Sequence, residues 1–297
     1  MTFEHVPVST IDETLAAMKQ FGERGKLYAG GVALSILMKS KVYRPEVLID
    51  VAGVKELSFI EETPGGGIRI GPGTVHRALE TSPLIRERCP LLAEVFHNVA
   101  TIRIRNTGTI GGNICFAEPA SDPPGVLLAL EARMKARSTN GSERIIPAAE
   151  FWIGYYECAL RPDELLTGIE FDPLPPGFRT GYTRFTTRSK EDKPCVSISA
   201  AVAVEADGIT CREARIGLGG VEAVFRRLAS VEEGLKGTAL TRKSIDGVLT
   251  HALGDLDPIS DIRASGDYRR QVTPVLIRRT IEKAMDMSGS PVRAANS

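Results

Sequence analysis

The stretch Ile104-Arg-Asn-Thr-Gly-Thr-Ile-Gly-Gly-Asn113, running on to Pro119-Ala-Ser-Asp122-Pro-Pro, decides how this 297-residue chain is read. Asn106 to Pro124 reads as a long loop rich in glycine, asparagine and proline, and such a loop in a compact domain points to function. Its glycine pair Gly111-Gly112 allows positive φ and close approach of a ligand to the main chain. Successive amides in such turns form nests for anions, diphosphates above all. A second segment has the same character: in Tyr28-Ala-Gly-Gly-Val-Ala-Leu34 the glycine pair comes directly after a short strand candidate, Lys26 to Ala29. A phosphate at the helix start after such a pair is the matching chemistry. Taken singly, either loop reads first as a tight turn, and it is the pair that brings nucleotide binding level with that reading. Neither is a P-loop. The segment Ile68-Arg-Ile-Gly-Pro-Gly-Thr-Val-His76 imitates a dinucleotide fingerprint, but His76 stands at the third glycine position and Pro72 removes an amide, so it is rejected as one.

Outward from these loops, Thr10 to Gly22 predicts a helix with a Thr10/Glu13 capping box. Val32 to Met38 is apolar all round and predicts a buried helix. Glu46 to Val51 and Gly67 to Gly71 predict strands, and Thr74 to Thr81 and Leu84 to Val99 predict helices. Arg133 to Ser138 and Glu143 to Ile146 predict a hairpin with a type I′ turn at Asn140-Gly141. Leu165 to Phe171 predicts a further strand. Proline density over Asp172 to Gly177 marks a boundary. Beyond it come strands at Thr180 to Thr187, Val196 to Glu205 and Ile209 to Leu218, then helices at about Val231 to Leu235, Ser244 to Leu253 and Asp267 to Met287.

Composition narrows the function. Lys plus Arg and Asp plus Glu are both 37, so the net charge is zero, without the basic footprint of a nucleic-acid binder. No apolar run reaches the ~18 residues of a membrane span. The N-terminal residues show neither signal nor transit peptide, which predicts a cytoplasmic protein. Cys89, Cys115, Cys158, Cys195 and Cys211 are scattered and contain no C-x-x-C, which argues against a disulfide framework or a metal cluster in this chain. No metal ligands and no catalytic residues are assigned. His97 reads as core or interface, Trp152 and Tyr155-Tyr156 as lobe packing, and the arginines of Arg263 to Lys283 as a mostly solvated helix face.

The loop motifs, with Ala29-Gly-Gly-x-x-Leu34, Pro45-x-x-Leu-Ile-Asp50, Phe151-x-x-Gly-Tyr155, Leu160-x-Pro-Asp-Glu-Leu-Leu166, Tyr182-x-Arg-Phe-x-x-Arg188 and Ser265-Gly-Asp-Tyr-Arg-Arg270, resemble the FAD-binding subunit of molybdenum hydroxylases. That family includes the medium chain of carbon monoxide dehydrogenase and the FAD subunit of xanthine dehydrogenase. The resemblance implies an α+β fold of the vanillyl-alcohol oxidase type. Residues 1–173 would form the FAD-binding domain, with lobes of about 1–55 and 56–173. A small C-terminal domain of antiparallel sheet plus helices would occupy 178–288, and 289–297 would be a tail.

By matching positions, the resemblance implies that Leu27, Tyr28, Ala29, Gly30, Gly31, Val32, Ala33 and Leu34 wrap the FAD diphosphate from one side. Ile104, Thr109, Ile110, Gly111, Gly112 and Asn113 would approach from the other. Val99 and Leu166 would pack on the cofactor, Asp122 would bind its ribityl or ribose region, and Arg184 would lie near the flavin ring. Read without the family, Asp122 is equally a helix cap, and Arg184 with Arg188 a solvated pair. Relatives carry a polar side chain after the first glycine pair where this chain has Val32-Ala33, so phosphate support there would be backbone alone. The implied role is an electron-transfer subunit in complex with a [2Fe-2S] small subunit and a molybdopterin large subunit, as a dimer of heterotrimers. A stand-alone flavin reductase or oxidase on the same fold, and an assembly subunit without cofactor, remain the alternatives.

Overall fold

The computed structural model describes residues 3–286. Met287, residue 288 of the expected second domain and the tail 289–297 lie outside the described residues. The chain opens with β1 (Glu4–Pro7), α1 (Ile11–Phe21), β2 (Gly25–Tyr28), α2 (Val32–Lys39) and β3 (Val47–Asp50). The three strands form a parallel sheet in the order β1-β3-β2. Thr10 caps α1 as the sequence requires, its hydroxyl accepting from Glu13 N at 3.1 Å, while the Glu13 carboxylate takes the Ser9 amide. Parallel neighbours need crossovers, and α1 and α2 supply them.

A second, antiparallel sheet follows, in the order β4-β5-β10-β6-β7. Its elements are β4 (Ile60–Glu62), β5 (Ile68–Ile70), β6 (Arg133–Ser138), β7 (Glu143–Pro147) and β10 (Glu164–Phe171). Between β5 and β6 lie α3 (His76–Thr81), α4 (Pro83–Arg88), α5 (Pro90–Asn98), α6 (Ile102–Arg105), α7 (Ile110–Phe116) and α8 (Pro123–Ala129). After β7 come α9 (Ala148–Phe151) and the small hairpin β8 (Trp152–Gly154) and β9 (Glu157–Cys158).

Several expectations need correction here. The single helix over Leu84 to Val99 is two, because Pro90 has no amide to continue α4 and instead starts α5. The long loop Asn106 to Pro124 contains α7 and ends at α8. The β6–β7 turn is not type I′: Gly141 has φ 89 but Asn140 is not left-handed, so a single positive-φ glycine closes a Ser138–Gly141 turn. The helix from Val32 has no buried residue, and Ile36 is 60% exposed. His97 is exposed, not core, and pairs with the buried Glu80 at 2.9 Å. Trp152 is buried as read, but Tyr155 and Tyr156 are exposed.

The last part is a four-stranded antiparallel sheet of β11 (Phe178–Phe185), β12 (Val196–Val204), β13 (Cys211–Gly219) and β14 (Arg226–Arg227). Then follow α10 (Ala229–Leu235), α11 (Arg242–Ala252) and α12 (Gly266–Asp286). Strand alternation gives this sheet two different faces. Val196, Ile198, Ala200 and Val202 join the core under α12 with Leu276, Ile277 and Ile281. The other face of β12 is small: Ser197, Ser199, Ala201 and Ala203, and α8 packs there. Arg269 corrects the expectation of a solvated arginine face on α12. It is fully buried and holds the Gly220 carbonyl and Asp261. No helix among the described residues is long and apolar enough to cross a membrane.

The contact between α8 and β13 is backbone to backbone. A Cβ on Gly217 would lie 1.9 Å from the Gly125 carbonyl oxygen, so glycine is demanded by space. Gly217→Ala is expected to destabilise the protein by about 1–3 kcal/mol through overpacking. Gly247→Ala, inside α11 with no atom within 4 Å, should instead stabilise it by up to about 1 kcal/mol. Urea unfolding of both variants checks this. An unchanged midpoint for Gly217→Ala would show that α8 does not rest on the sheet so closely.

Candidate functional site

The two glycine loops meet. After β2, the chain passes Ala29 and Gly30, and a Cβ on Gly30 would lie 1.9 Å from the Thr107 carbonyl oxygen and 3.1 Å from Gly108 Cα. Gly31 then takes φ 66 and forms the N-terminal boundary of α2, its Cα so close to the Tyr28 ring that a Cβ would lie 2.4 Å from it. Ser35 N bonds the Gly31 carbonyl at 2.8 Å, but no side chain caps the helix. The amides of Val32, Ala33 and Leu34 have no acceptor among the described residues. Three N–H groups at a helix N-terminus, backed by its dipole, favour an anion.

The second loop is built differently. Thr109 caps α7, accepting from Gly112 N at 3.1 Å. Ile110 N donates to Thr74 O at 3.0 Å, Gly111 N to Pro72 O at 2.8 Å, and Asn113 N to Thr109 O at 3.0 Å. These amides are therefore already bonded, and the expected nest on this side does not exist in that form. The two glycines have separate reasons. A Cβ on Gly111 would meet Pro72 at 2.4 Å, whereas one on Gly112 would meet only its own cap, Thr109 Oγ1, at 2.9 Å. Gly112 is exposed, and Asn113 receives the Ser121 hydroxyl on its side-chain oxygen at 2.8 Å.

The rejected fingerprint turns out to be the seat of this loop. Pro72 and Thr74 take its amides, and His76 holds it twice. His76 N donates to Gly108 O at 2.9 Å, and its Nε2 lies 3.1 Å from Thr109 O. The ring packs on Phe96, with centroids 5.1 Å apart. Burial pulls the imidazole down to about 4, so it is neutral and donates through Nε2. Sequence reasoning missed these three residues. The available signal was the Gly71-Pro-Gly73 turn between strand and helix, which places chain close to chain.

Asp122 is buried at the start of α8 but makes no capping bond. Instead Tyr182 Oη donates to Asp122 Oδ1 at 2.5 Å, and an Arg184 nitrogen lies 3.2 Å from Oδ2. Tyr182 and Arg184 are two apart on β11 and so face the same way. Burial pushes the Asp122 carboxyl up to about 6, against the pull of Arg184 and Tyr182. The Arg184 guanidinium also donates to the carbonyls of Asn98 (2.7 Å), Lys190 (2.6 Å) and Asp192 (2.5 Å). The solvated-pair reading thus holds for Arg188, which is exposed beside Asp192, and fails for Arg184.

Asn98 leads into Val99 and Ala100, whose carbonyls accept from Arg105 at 3.1 and 2.9 Å, with Ala100 at φ 46. Ile104, in α6, accepts from Gly108 N at 2.7 Å. Leu166 is buried in the β10 core. One rim therefore runs from Asn113 through Ser121, Asp122 and Arg184 to Val99 and Ile104, and returns to the loop that touches Gly30. Tyr28, on β2, packs against Gly31 of the first loop, whereas Leu27 packs into the apolar core of the first sheet. Leu166 is a further expected residue for which no bond to this rim is found.

Residues 1–174 match the family described as the FAD binding domain in molybdopterin dehydrogenase, and residues 182–284 match the CO dehydrogenase flavoprotein C-terminal domain. The chain is 30% identical to the carbon monoxide dehydrogenase medium chain of Hydrogenophaga pseudoflava, over 95% of this chain and 96% of that one. It is 32% identical to the nicotine 6-hydroxylase medium subunit of Paenarthrobacter nicotinovorans, over 88% and 90%. Its fold superposes on a chain of the solved Hydrogenophaga pseudoflava carbon monoxide dehydrogenase with a TM-score of 0.91, at 30% identity, covering 96% of this chain and 98% of that one.

The buried His76 yields a pH prediction. Its folded pKa lies below the ordinary 6.5, so the unfolded chain binds the proton first. The contribution is fully present above about pH 6.5 and is lost as pH falls toward about 4, amounting to about 3 kcal/mol. His76→Gln, which keeps a donor for Thr109 O, should flatten that part of the decline. Urea unfolding at pH 7 and pH 4.5 checks this. Equal losses in both proteins would mean that the His76 imidazole is not shielded from protonation.

Proposed function

The chain belongs to the FAD-binding subunits of the molybdenum hydroxylase family, and on that premise we propose that its cleft between the glycine loops seats one FAD non-covalently for electron relay. The carrying observation is the set of unbonded amides at Val32, Ala33 and Leu34, beside the Gly30–Thr107 contact and the open face of Gly112. These residues fit a diphosphate: backbone donors at a helix start, with Gly31 leaving the approach clear. Support from Val32-Ala33 is by main chain alone, since neither side chain is polar. Leu27 to Leu34 hold one side, and Ile104, Thr109 to Asn113 and Val99 form the other. Within that second wall, Gly111 positions the loop against Pro72 and Gly112 and Asn113 face the cofactor. Leu166 contributes from the core behind it.

FAD, when bound, supplies reversible electron acceptance and donation. The protein's residues bind, orient and tune. Asp122, tied to Tyr182 and Arg184, gives the rim a fixed polar corner, and Arg184 brings a permanent positive charge that favours an electron-rich ring by Coulomb attraction. The buried titratable groups of the rim, Asp122 and Arg184, are bonded to one another. That favours relay over substrate chemistry in this chain, and so favours the subunit over the stand-alone enzyme.

The relatives are medium subunits of multi-subunit enzymes. We place this chain likewise beside a [2Fe-2S] subunit and a molybdopterin subunit, in a cytoplasmic dimer of heterotrimers. We divide it into an FAD-binding domain, 1–173, and a C-terminal domain, 178–288. Exposed Ile36, Val42 and Tyr43 on and after α2 offer an apolar surface for such a partner.

Two experiments bear on this. Acid precipitation of the purified chain should release all flavin into the supernatant, whereas flavin retained in the pellet would contradict non-covalent binding. Gly112→Val should weaken FAD binding at least about tenfold, or ~1.4 kcal/mol. Gly247→Ala, in α11 with open space around it, should keep the flavin. Full occupancy in Gly112→Val would make the second loop a structural turn only.

A further inference from the structure

Cys115 and Cys158 are far apart in sequence and meet across α7 and β9. The neighbouring contacts fix the meeting. Trp152 and Cys158 are paired in the β8–β9 hairpin, and the Trp152 indole donates to Ile114 O, next to Cys115, at 3.0 Å. Ala159 N closes the frame on Phe151 O at 2.8 Å. Strand β9 packs directly on α7, so the Cys158 thiol stands beside that of Cys115. Both residues are half-buried, while Cys89, Cys195 and Cys211 are buried. Cys115 lies three residues after Gly112, on the same side of α7. Lys26, on β2 of the first sheet, contributes its positive charge to the pair.

We propose that Cys115 and Cys158 form a dithiol modification site that small peroxides oxidise to an intramolecular disulfide. The neighbouring Cys115 thiol, helped by the charge of Lys26, lowers the Cys158 thiol toward neutrality, so a thiolate is available there. Cys115 is held protonated by its charged neighbour and by burial. The Cys158 thiolate attacks a peroxide oxygen: an S–O bond forms, the O–O bond breaks, and hydroxide leaves to become water. The resulting sulfenic acid is uncharged, so the repulsion that kept Cys115 protonated is gone. Cys115 loses its proton and attacks the Cys158 sulfur, forming S–S and breaking S–O with loss of a second water. Two thiols and one hydrogen peroxide give one disulfide and two waters, the sulfurs losing the two electrons that the peroxide gains.

The remaining cysteines act as internal controls. Burial raises their thiols, Cys89 to about 12 and Cys211 to about 11, and Cys195 is raised as well. They should resist the same oxidant.

The test uses the reduced full-length chain as purified, treated with stoichiometric hydrogen peroxide, then alkylated, digested and read by mass spectrometry. The expected result is a loss of two hydrogens, a Cys115–Cys158 cross-linked peptide reversible by dithiothreitol, and alkylated Cys89, Cys195 and Cys211 after unfolding. Cys158→Ser should leave Cys115 fully alkylatable at the same peroxide dose. The proposal is overturned by any of three results: Cys158 driven to sulfinic acid while Cys115 stays free, a bond between two chains, or equal oxidation of the three buried cysteines.

Discussion

Everything at the cleft depends on one close approach, the packing of the Gly30 backbone against the carbonyl of Thr107. No side chain fits in that gap, so the turn after β2 and the turn before α7 are held at main-chain distance. Each turn comes from a different sheet: the parallel β1-β3-β2 sheet carries the first, and the helices inserted between β5 and β6 carry the second. Their contact brings a helix N-terminus from one unit to the wall of the other.

The two sides of that contact are unequal. On the α7 side, cap and neighbours satisfy the helix amides: Thr109, Thr74 and Pro72 take them, and His76 fastens the turn from behind. That side is rigid and presents Gly112 and Asn113. On the α2 side the amides lack acceptors, because Gly31 has no side chain to offer and Val32-Ala33 bring none. An uncapped first turn costs stability in isolation and is relieved by an anion. Deeper in, the Asp122–Tyr182–Arg184 cluster joins the rim to the third sheet. That cluster explains why the small face of β12 and the glycine pair Gly125/Gly217 sit where they do: α8 must come down close for Asp122 to reach β11.

Much of this was legible in the residues. The Thr10/Glu13 box, the break in regular structure at Asp172 to Gly177 and the strand read over Val196 to Glu205 follow from local rules, and the structure has them, the strand ending at Val204. What escaped needed three dimensions. The Ile68 to His76 segment is no dinucleotide fingerprint; its role is to support another loop by carbonyls that carry no sequence signature. Arg269 and Arg184 looked like surface charges because burial of a guanidinium depends on carbonyls brought by distant segments, Gly220 in one case and Asn98 in the other. The exposed apolar face of α2 defied its composition, since an all-round apolar helix reads as core until its neighbours are known.

The most direct test of the account is hydrogen exchange on the flavin-free chain before and after addition of FAD. The amides of residues 32–34 should exchange fast without FAD and become strongly protected with it, while those of residues 110–113, bonded already, should change little. Protection confined to residues 110–113, with 32–34 exchanging as before, would contradict the assignment of the α2 terminus as the diphosphate seat.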